Sequence, residues 1–318
     1  MHRVGRAILV PINKSRPTLT VGLSVPREVR DYLRDQRFDI VHTHGPLAPT
    51  LPLLALWYSR ATNIATFHAA RDTTPAYAIF SRPLQRLFRK IHGPIAVSEV
   101  ARRSIARYFP GDYTIIPNGV DGERFHPQVP RLEAYSDGRP NILFLGRFDH
   151  RKGLPYLLEA MPQILRSVPE ARLVVVGDGP DRRKLEELVV DATRSAIEFV
   201  GRVPPEMVAR YFVSADIYCS PATDRESFGI TLLEAMASGA AVVGFDNDGY
   251  RGVIEHERDG VLVSNRDRAA LAEAIVDLLQ QPDRRQRIRA QALDTAARFD
   301  WARVAAQVEA HYREHLRR

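Results

Sequence analysis

Two glutamates, Glu226 and Glu234, stand eight positions apart in the stretch "DRESFGITLLEAMASGAAVV", one at each end of an apolar segment. Carboxylates accept hydrogen bonds, so the pair suits hydroxyl groups at two ends of a ligand. Cations come earlier in the chain. In "FLGRFDHRKG" an apolar run ends at Gly146, and Arg147, Arg151 and Lys152 follow where a helix should begin. Such cations suit a diphosphate, because the helix dipole and its free N–H groups add to the side-chain charge.

Further segments repeat the pattern of strand, glycine and helix. "VVVGDGPDRRKL" ends a strand at Gly177, with Gly179 two residues on, and "EFVGRVPPEMV" carries Gly201 and Arg202. A lone G-x-G is weak as a signal and is commonly just a tight turn. In "ESFGI" the helix start leaves the first-turn N–H groups of Ser227, Phe228, Gly229 and Ile230 to receive an anion. Together the segments describe a site for hydroxyls at both ends and phosphates between, that is, a nucleotide sugar.

Other chemistry-bearing residues are ambiguous by themselves. His42 and His44 in "VHTHGP" project from the same side of a strand, but no third ligand lies nearby in sequence, so the structural reading is preferred to a metal pair. The "DND" at Asp246 to Asp248 imitates a metal-binding D-x-D and reads as a strand-to-helix loop, so no metal is expected. Arg151 could be merely solvated. Cys219, alone in the chain, cannot form an intramolecular disulfide and reads as a buried strand residue in a reducing compartment.

The elements that must position these groups alternate along the chain. Apolar runs such as "AILVPI", "DIVHT", "NIATF", "NILFL", "RLVVVG", "DIYCS" and "AAVVGF" are each followed by a helical pattern. Runs apolar on both faces belong to parallel strands covered by helices on either side, so the fold class is α/β and doubly wound. Pro, Asn and Gly cluster in "IIPNGVDGERFHPQVP" and set a boundary. The reading is two Rossmann-like domains facing a cleft, residues 1–118 and 119–299, followed by a helix over 300–318. Open α/β sheets bind ligands outside the carboxyl ends of their strands, where the glycines and cations fall.

Charge is divided unevenly. The net charge is +7, but residues 1–110 hold 17 Lys and Arg against 6 Asp and Glu, while the rest of the chain holds 28 against 32. "AIFSRPLQRLFRKIHG" predicts a helix with Phe80, Leu84, Leu87, Phe88 and Ile91 on one face and Arg82, Arg86, Arg89 and Lys90 elsewhere. Two readings stand, a surface helix packed on a core and a helix lying on an anionic membrane. No aromatic and basic pattern of a nucleic-acid module occurs. The longest apolar stretch, Leu47 to Tyr58, is broken by two prolines and is too short to cross a bilayer, and the basic N-terminus lacks a signal peptide's apolar core. The expected location is the cytoplasm, at most peripheral to the membrane.

The segments "GRFDHRKG", "VGDGPDR", "FVGRV" and "ESFGITLLEAMASGAAVV", in this order, resemble the retaining glycosyltransferases of family 4 with the GT-B fold, whose hallmark is E-x7-E. "FDIVHTHGPLAPTLPLLAL", "ATFHA", "IAVSEVARR" and "IPNGVD" are most similar to bacterial phosphatidylinositol mannosyltransferases. The resemblance implies that Glu226 binds the hydroxyls of the transferred sugar and Glu234 those of the ribose, and that Arg147 and Lys152 hold the diphosphate. It implies that His68, at the end of a first-domain strand, contacts the donor sugar, and that the base pocket lies near Gly201 and Arg202. It also implies front-side attack with the leaving phosphate taking the acceptor's proton, and a C-terminal helix packing back on the first domain. The donor it implies is GDP-mannose, with no cofactor, and the acceptor a membrane lipid such as phosphatidylinositol or another polyol. The rival readings are a UDP-sugar donor with another acceptor, and a nucleotide-sugar-binding protein without catalysis.

The family pattern opens with a strand and a Gly-Gly loop, and no Gly-Gly pair precedes Gly119 here. The expectation is therefore an incomplete first domain with an exposed sheet edge, from a misplaced start, a fragment or a natural reduction. Arg71 is a candidate anion contact for a phosphorylated or lipid headgroup.

Overall fold

The computed structural model describes residues 3–9, 18–47, 50–68, 77, 79–224 and 226–316, and Arg71 lies outside them. The chain divides into two compact units, 1–117 with 305–318, and 118–304.

The first unit holds a four-stranded parallel sheet in the order β3 (Ile40–His44), β4 (Thr62–Phe67), β5 (Gly93–Ala96), β6 (Thr114–Ile115). One face of this sheet is closed by Leu47, Leu56, Phe67, Leu87, Ile91, Ile105 and Phe109. Each such side chain contributes roughly 1.5–3 kcal/mol of burial. The basic segment forms the helix Ser81–Phe88, and its apolar side is spent on this core through Leu84, Leu87 and Phe88. Phe80 does not join that face: it is 57% exposed, because it stands before the helix starts. Ser98 caps the helix Glu99–Ala106 by accepting a hydrogen bond from the Ala101 N–H.

One expected parallel strand behaves differently. "AILVPI" supplies β1 (Arg6–Leu9), which pairs antiparallel with β2 (Thr18–Val21) as a separate two-stranded ribbon. The apolar run looked doubly covered, but its partner is the four-residue segment TLTV, whose alternation of Thr with Leu19 and Val21 is too short to stand out as a strand.

The second unit is a six-stranded parallel sheet in the order β12-β11-β10-β7-β8-β9. Its strands are β7 (Asn141–Leu145), β8 (Arg172–Val176), β9 (Ile197–Gly201), β10 (Ile217–Ser220), β11 (Ala241–Phe245) and β12 (Val261–Val263). β10 and β11 are buried at every position, so both faces are covered. One layer packs Leu157, Met161, Ile164, Leu271 and Ile275 from the helices Leu154–Ser167 and Arg268–Gln280. The other packs Phe212, Leu232, Leu233, Met236 and Ala292. Cys219 is fully buried in β10, and burial pushes its thiol well above the ordinary range. The winding runs from β7 out to β9, then returns to place β10 on the other side of β7. The crevice at that reversal is where open α/β sheets bind ligands.

The C-terminal helix runs Trp301–Leu316, with Trp301 packed against Gly119 and the part from Ala305 onward clustering with the first unit. No helix among the described residues is long and apolar enough to cross a membrane.

Candidate active site

At the reversal point, the loops after β7 and β10 bring together residues 74 positions apart. Lys152 Nζ lies 2.6 Å from Glu226 Oε1. The lysine is 31% exposed and the glutamate 15%, so the pair is half-buried and open to a ligand from one side. The loop that carries Lys152 is shaped by Asp149, which caps the short turn His150–Lys152 by accepting from the Arg151 N–H at 3.0 Å. Asp149 also holds the Arg151 guanidinium at 3.0 Å, and although burial works against it, the arginine keeps the carboxyl below its ordinary range. Arg151 is thereby committed to the loop. Arg147 is exposed, and among the described residues its guanidinium has no carboxylate partner. Two cations thus differ in state: Lys152 is engaged by Glu226, and Arg147 is unengaged.

Gly146, Gly177 and Gly179 hold two of these loops against each other. Gly177 has a φ of +132°, and a Cβ there would lie 1.9 Å from the Gly146 carbonyl oxygen. A Cβ on Gly179 would lie 2.3 Å from the Phe148 carbonyl oxygen. Their closest approach is to backbone inside the fold, so they shape the loop that bears Arg147. Gly201 ends β9, and Arg202 beyond it is 81% exposed and 3.7 Å from Asp178.

After Glu226 the chain enters the helix Ile230–Ala237 through Gly229, whose φ of +96° makes it the N-cap, and no side chain caps this helix. Phe228 is buried against Phe299, so only its backbone is available to a ligand, while Ile230 is exposed. Ser227 is half-buried between them. Glu234, one turn along, is pushed up to about 7 by burial, opposed by the charge of Arg124. Arg124 donates to the Pro205 carbonyl and lies over the Phe125 ring. The sequence offered no local sign of Arg124, because its relation to Glu234 exists only across 110 residues of fold. Glu226 and Glu234 both act electrostatically on the buried Tyr218, and Tyr250, which touches Ser220 at 2.6 Å, feels Glu226.

The acidic triplet is accounted for by a helix start. Asn247 caps Asp248–Arg251 by accepting from the Tyr250 N–H, and Asp246 and Asp248 flank the Arg251 guanidinium at 2.5 and 3.6 Å.

The first unit carries a second cluster, at the carboxyl ends of β3 and β4. His44 Nδ1 lies 2.8 Å from His68 Nε2, and the rings of His42, His44 and His68 stack in series at 4.7 and 5.1 Å. His42 is held on its other edges by Tyr312 Oη at 2.6 Å and Thr66 Oγ1 at 2.7 Å. Burial, then its histidine neighbours, lowers His42 to about 4, and burial lowers His44, so both are neutral at physiological pH. Sequence reading found no third partner for the His42 and His44 pair. The register of β3 against β4, with His44 opposite Thr66, brings in His68 as that partner through a hydrogen bond.

Comparison with known proteins agrees with this architecture. Residues 130–295, just over half of the chain, match the family model of glycosyl transferases group 1, and residues 2–124 match that of glycosyltransferase family 4. The chain is 38% identical over 311 residues to a phosphatidyl-myo-inositol mannosyltransferase of Mycobacterium tuberculosis, covering 96% of this chain and 81% of that protein. It is 32% identical over 206 residues to a GDP-mannose-dependent alpha-(1-6)-phosphatidylinositol monomannoside mannosyltransferase of the same organism, covering 61% and 54%. A glycosyltransferase structure from Rickettsia africae superposes with a TM-score of 0.78 at 21% identity, over 92% of this chain and 81% of that one. Two parallel α/β sheets, a ligand crevice at the second sheet's reversal and likeness along nearly the whole chain lead to one assignment: the chain belongs to the family 4 glycosyltransferases of GT-B fold.

Proposed function

We propose that the chain is a retaining mannosyltransferase that moves mannose from GDP-mannose to a phosphatidylinositol-type lipid. The observation that carries this reading is the 38% identity, over 96% of the chain, to a protein named for that acceptor and sugar. The donor base is supported by the second relative, whose name specifies GDP-mannose.

The residues divide the work as follows. Arg147 and Lys152 hold the donor diphosphate, with the uncapped helix start at Ser227 to Ile230 adding its N–H groups and dipole. An ammonium has three donors, so Lys152 can keep Glu226 while it binds a phosphate oxygen. Glu226, steadied this way, accepts from the hydroxyls of the sugar, and Glu234 from those of the ribose. The base lies beyond Gly201 and Arg202, and Gly146, Gly177 and Gly179 fix the loops beneath. His68 orients the transferred sugar.

As the bond from sugar to phosphate breaks, negative charge grows on the leaving diphosphate. Fixed cations and aligned N–H groups stabilise that charge more than they stabilise the ground state, and removing one such donor commonly costs about 10²–10³ in rate. A phosphate oxygen on the same face accepts the proton of the acceptor hydroxyl, which then attacks the anomeric carbon, so configuration is retained. Neither Glu226 nor Glu234 acts as a nucleophile. The basic first unit meets the anionic membrane in which the acceptor resides: Arg82, Arg86 and Arg89 are exposed, as are Trp57 and Ile79. The enzyme works at the cytoplasmic face.

The direct test is transfer of radiolabel from GDP-mannose to phosphatidylinositol in vesicles, with UDP-glucose as the competing donor. Product from GDP-mannose alone supports the reading. Product from UDP-glucose alone, or tight nucleotide binding with no transfer to any lipid, overturns it.

A further inference from the structure

The last two turns of the C-terminal helix read His311-Tyr312-Arg313-Glu314-His315. Positions separated by three and four residues share one helix face. The two imidazole rings lie 4.3 Å apart between centroids, and their nitrogens and a Glu314 carboxylate oxygen all fall within 4.8 Å of one another.

The hydrogen-bonding state of each ring matters. His315 Nδ1 lies 2.9 Å from the His311 carbonyl oxygen. A carbonyl can only accept, so Nδ1 carries the hydrogen and Nε2 of the neutral ring carries a lone pair. That is the arrangement in which metal-ligating histidines are normally held. His311 is only 6% exposed, and its Nε2 lies against the Gly93 backbone without a well-formed hydrogen bond among the described residues. A metal ion that takes the lone pair would give this buried nitrogen a full-strength partner. The ring reaches this position because residue 93 is glycine: a Cβ there would lie 2.5 Å from His311 Nε2. Finally, the cluster sits in the last turns of a helix, where the negative end of the dipole favours a cation.

We propose that His311, Glu314 and His315 bind one divalent transition-metal ion of the zinc class, through two imidazole nitrogens and one carboxylate oxygen. Two nitrogen ligands and one oxygen select zinc and its neighbours over magnesium or calcium, which prefer all-oxygen shells. The ion's function is structural. It staples adjacent turns at the end of the C-terminal helix, where His311 lies against Gly93 at the start of β5, and the proposed transfer reaction does not pass through it.

The test uses the untagged full chain, stripped with a chelator and titrated with zinc chloride by calorimetry and thermal shift. One zinc per chain and a rise in Tm are expected, since an ion bound only by the folded state stabilises it. His315→Gln should weaken zinc binding about tenfold or more, within the range typical of lost metal contacts. Glu314→Gln, at an exposed position, should also weaken it and guards against misfolding of the first variant. His44→Gln, in the other histidine cluster, should leave zinc affinity unchanged. No stoichiometric binding, full affinity in a combined Glu314→Gln and His315→Gln variant, or loss in His44→Gln alone would each overturn the proposal.

Discussion

Lys152 reaches across from the loop after β7 to place its ammonium 2.6 Å from the carboxylate of Glu226 in the loop after β10. The pair stands at the point where the sheet changes winding direction. Lys152→Ala removes the cation proposed to hold the diphosphate and leaves Glu226 without its ion-pair partner. Transfer should fall by about 100-fold or more, mostly in kcat, because the lost contact strengthens as charge develops. Glu226→Gln keeps a hydrogen-bonding group but breaks the ion pair, and should cost less than Glu226→Ala. Steady-state kinetics on GDP-mannose decide the matter, and near-normal turnover in either alanine variant would falsify the site.

Glu234 predicts a pH dependence. Its carboxyl is raised from an ordinary 4.5 to about 7 by burial, so the folded protein holds a proton that the unfolded chain has released over that interval. Stability from this group is full below 4.5 and is lost as pH rises through 7. Nucleotide binding should run the opposite way, since in the proposed role of Glu234 the ribose hydroxyls donate to its charged form. GDP affinity should rise by about three- to tenfold between pH 6 and 8, and Glu234→Gln should flatten that rise. An unchanged profile in the variant would remove Glu234 from the nucleotide.

The histidine stack makes a prediction about coupling. His44 is neutral and shares a hydrogen bond with His68, so it fixes the tautomer and tilt of the ring proposed to meet the sugar. His68→Ala should lower kcat by roughly tenfold or more while leaving GDP affinity unchanged, because the nucleotide is assigned to the second unit. His44→Ala should reproduce part of the loss, and the double variant should be no worse than His68→Ala. Additive losses would mean that the two rings act separately.

If the first unit meets the membrane as proposed, the attachment should be electrostatic. Leu84, Leu87 and Phe88 are spent on the core, which leaves Arg82, Arg86 and Arg89 to meet anionic lipid. Each basic residue near such a surface contributes about 1 kcal/mol. Sedimentation with phosphatidylinositol vesicles should weaken on adding salt, and a variant with all three arginines changed to glutamine should lose most of its binding. Salt-independent binding would point instead to insertion of Trp57 and Ile79.

What the sequence revealed follows from how locally each feature is encoded. The second sheet was readable because strands such as β10 and β11 are covered on both faces and must be apolar throughout. β2 was not, since four residues are too few for the alternation of Thr with Leu19 and Val21 to stand out. Glu226 and Glu234 lie within one turn-and-helix unit, so their spacing was visible. The contact between Lys152 and Glu226 depends on strand order, and that between His44 and His68 on the register of two strands. Neither is written in any short segment. Asp246 to Asp248 shows the reverse: a metal-like spacing whose meaning changes once Arg251 is seen to occupy both aspartates.

The strand order has a consequence for how the protein comes into being. β10 pairs Ile217 with Ile142 on β7, while β8 and β9, which come between them in the chain, lie on the other side of β7. That closure spans about 75 residues, and its entropy cost must be met before any contact in the crevice can form. During synthesis the Lys152 loop is made long before its partner strand emerges. The pairing of Lys152 with Glu226 is therefore a late event in folding, and a nascent or truncated chain ending before Ser220 would carry the lysine without the loop that brings its partner.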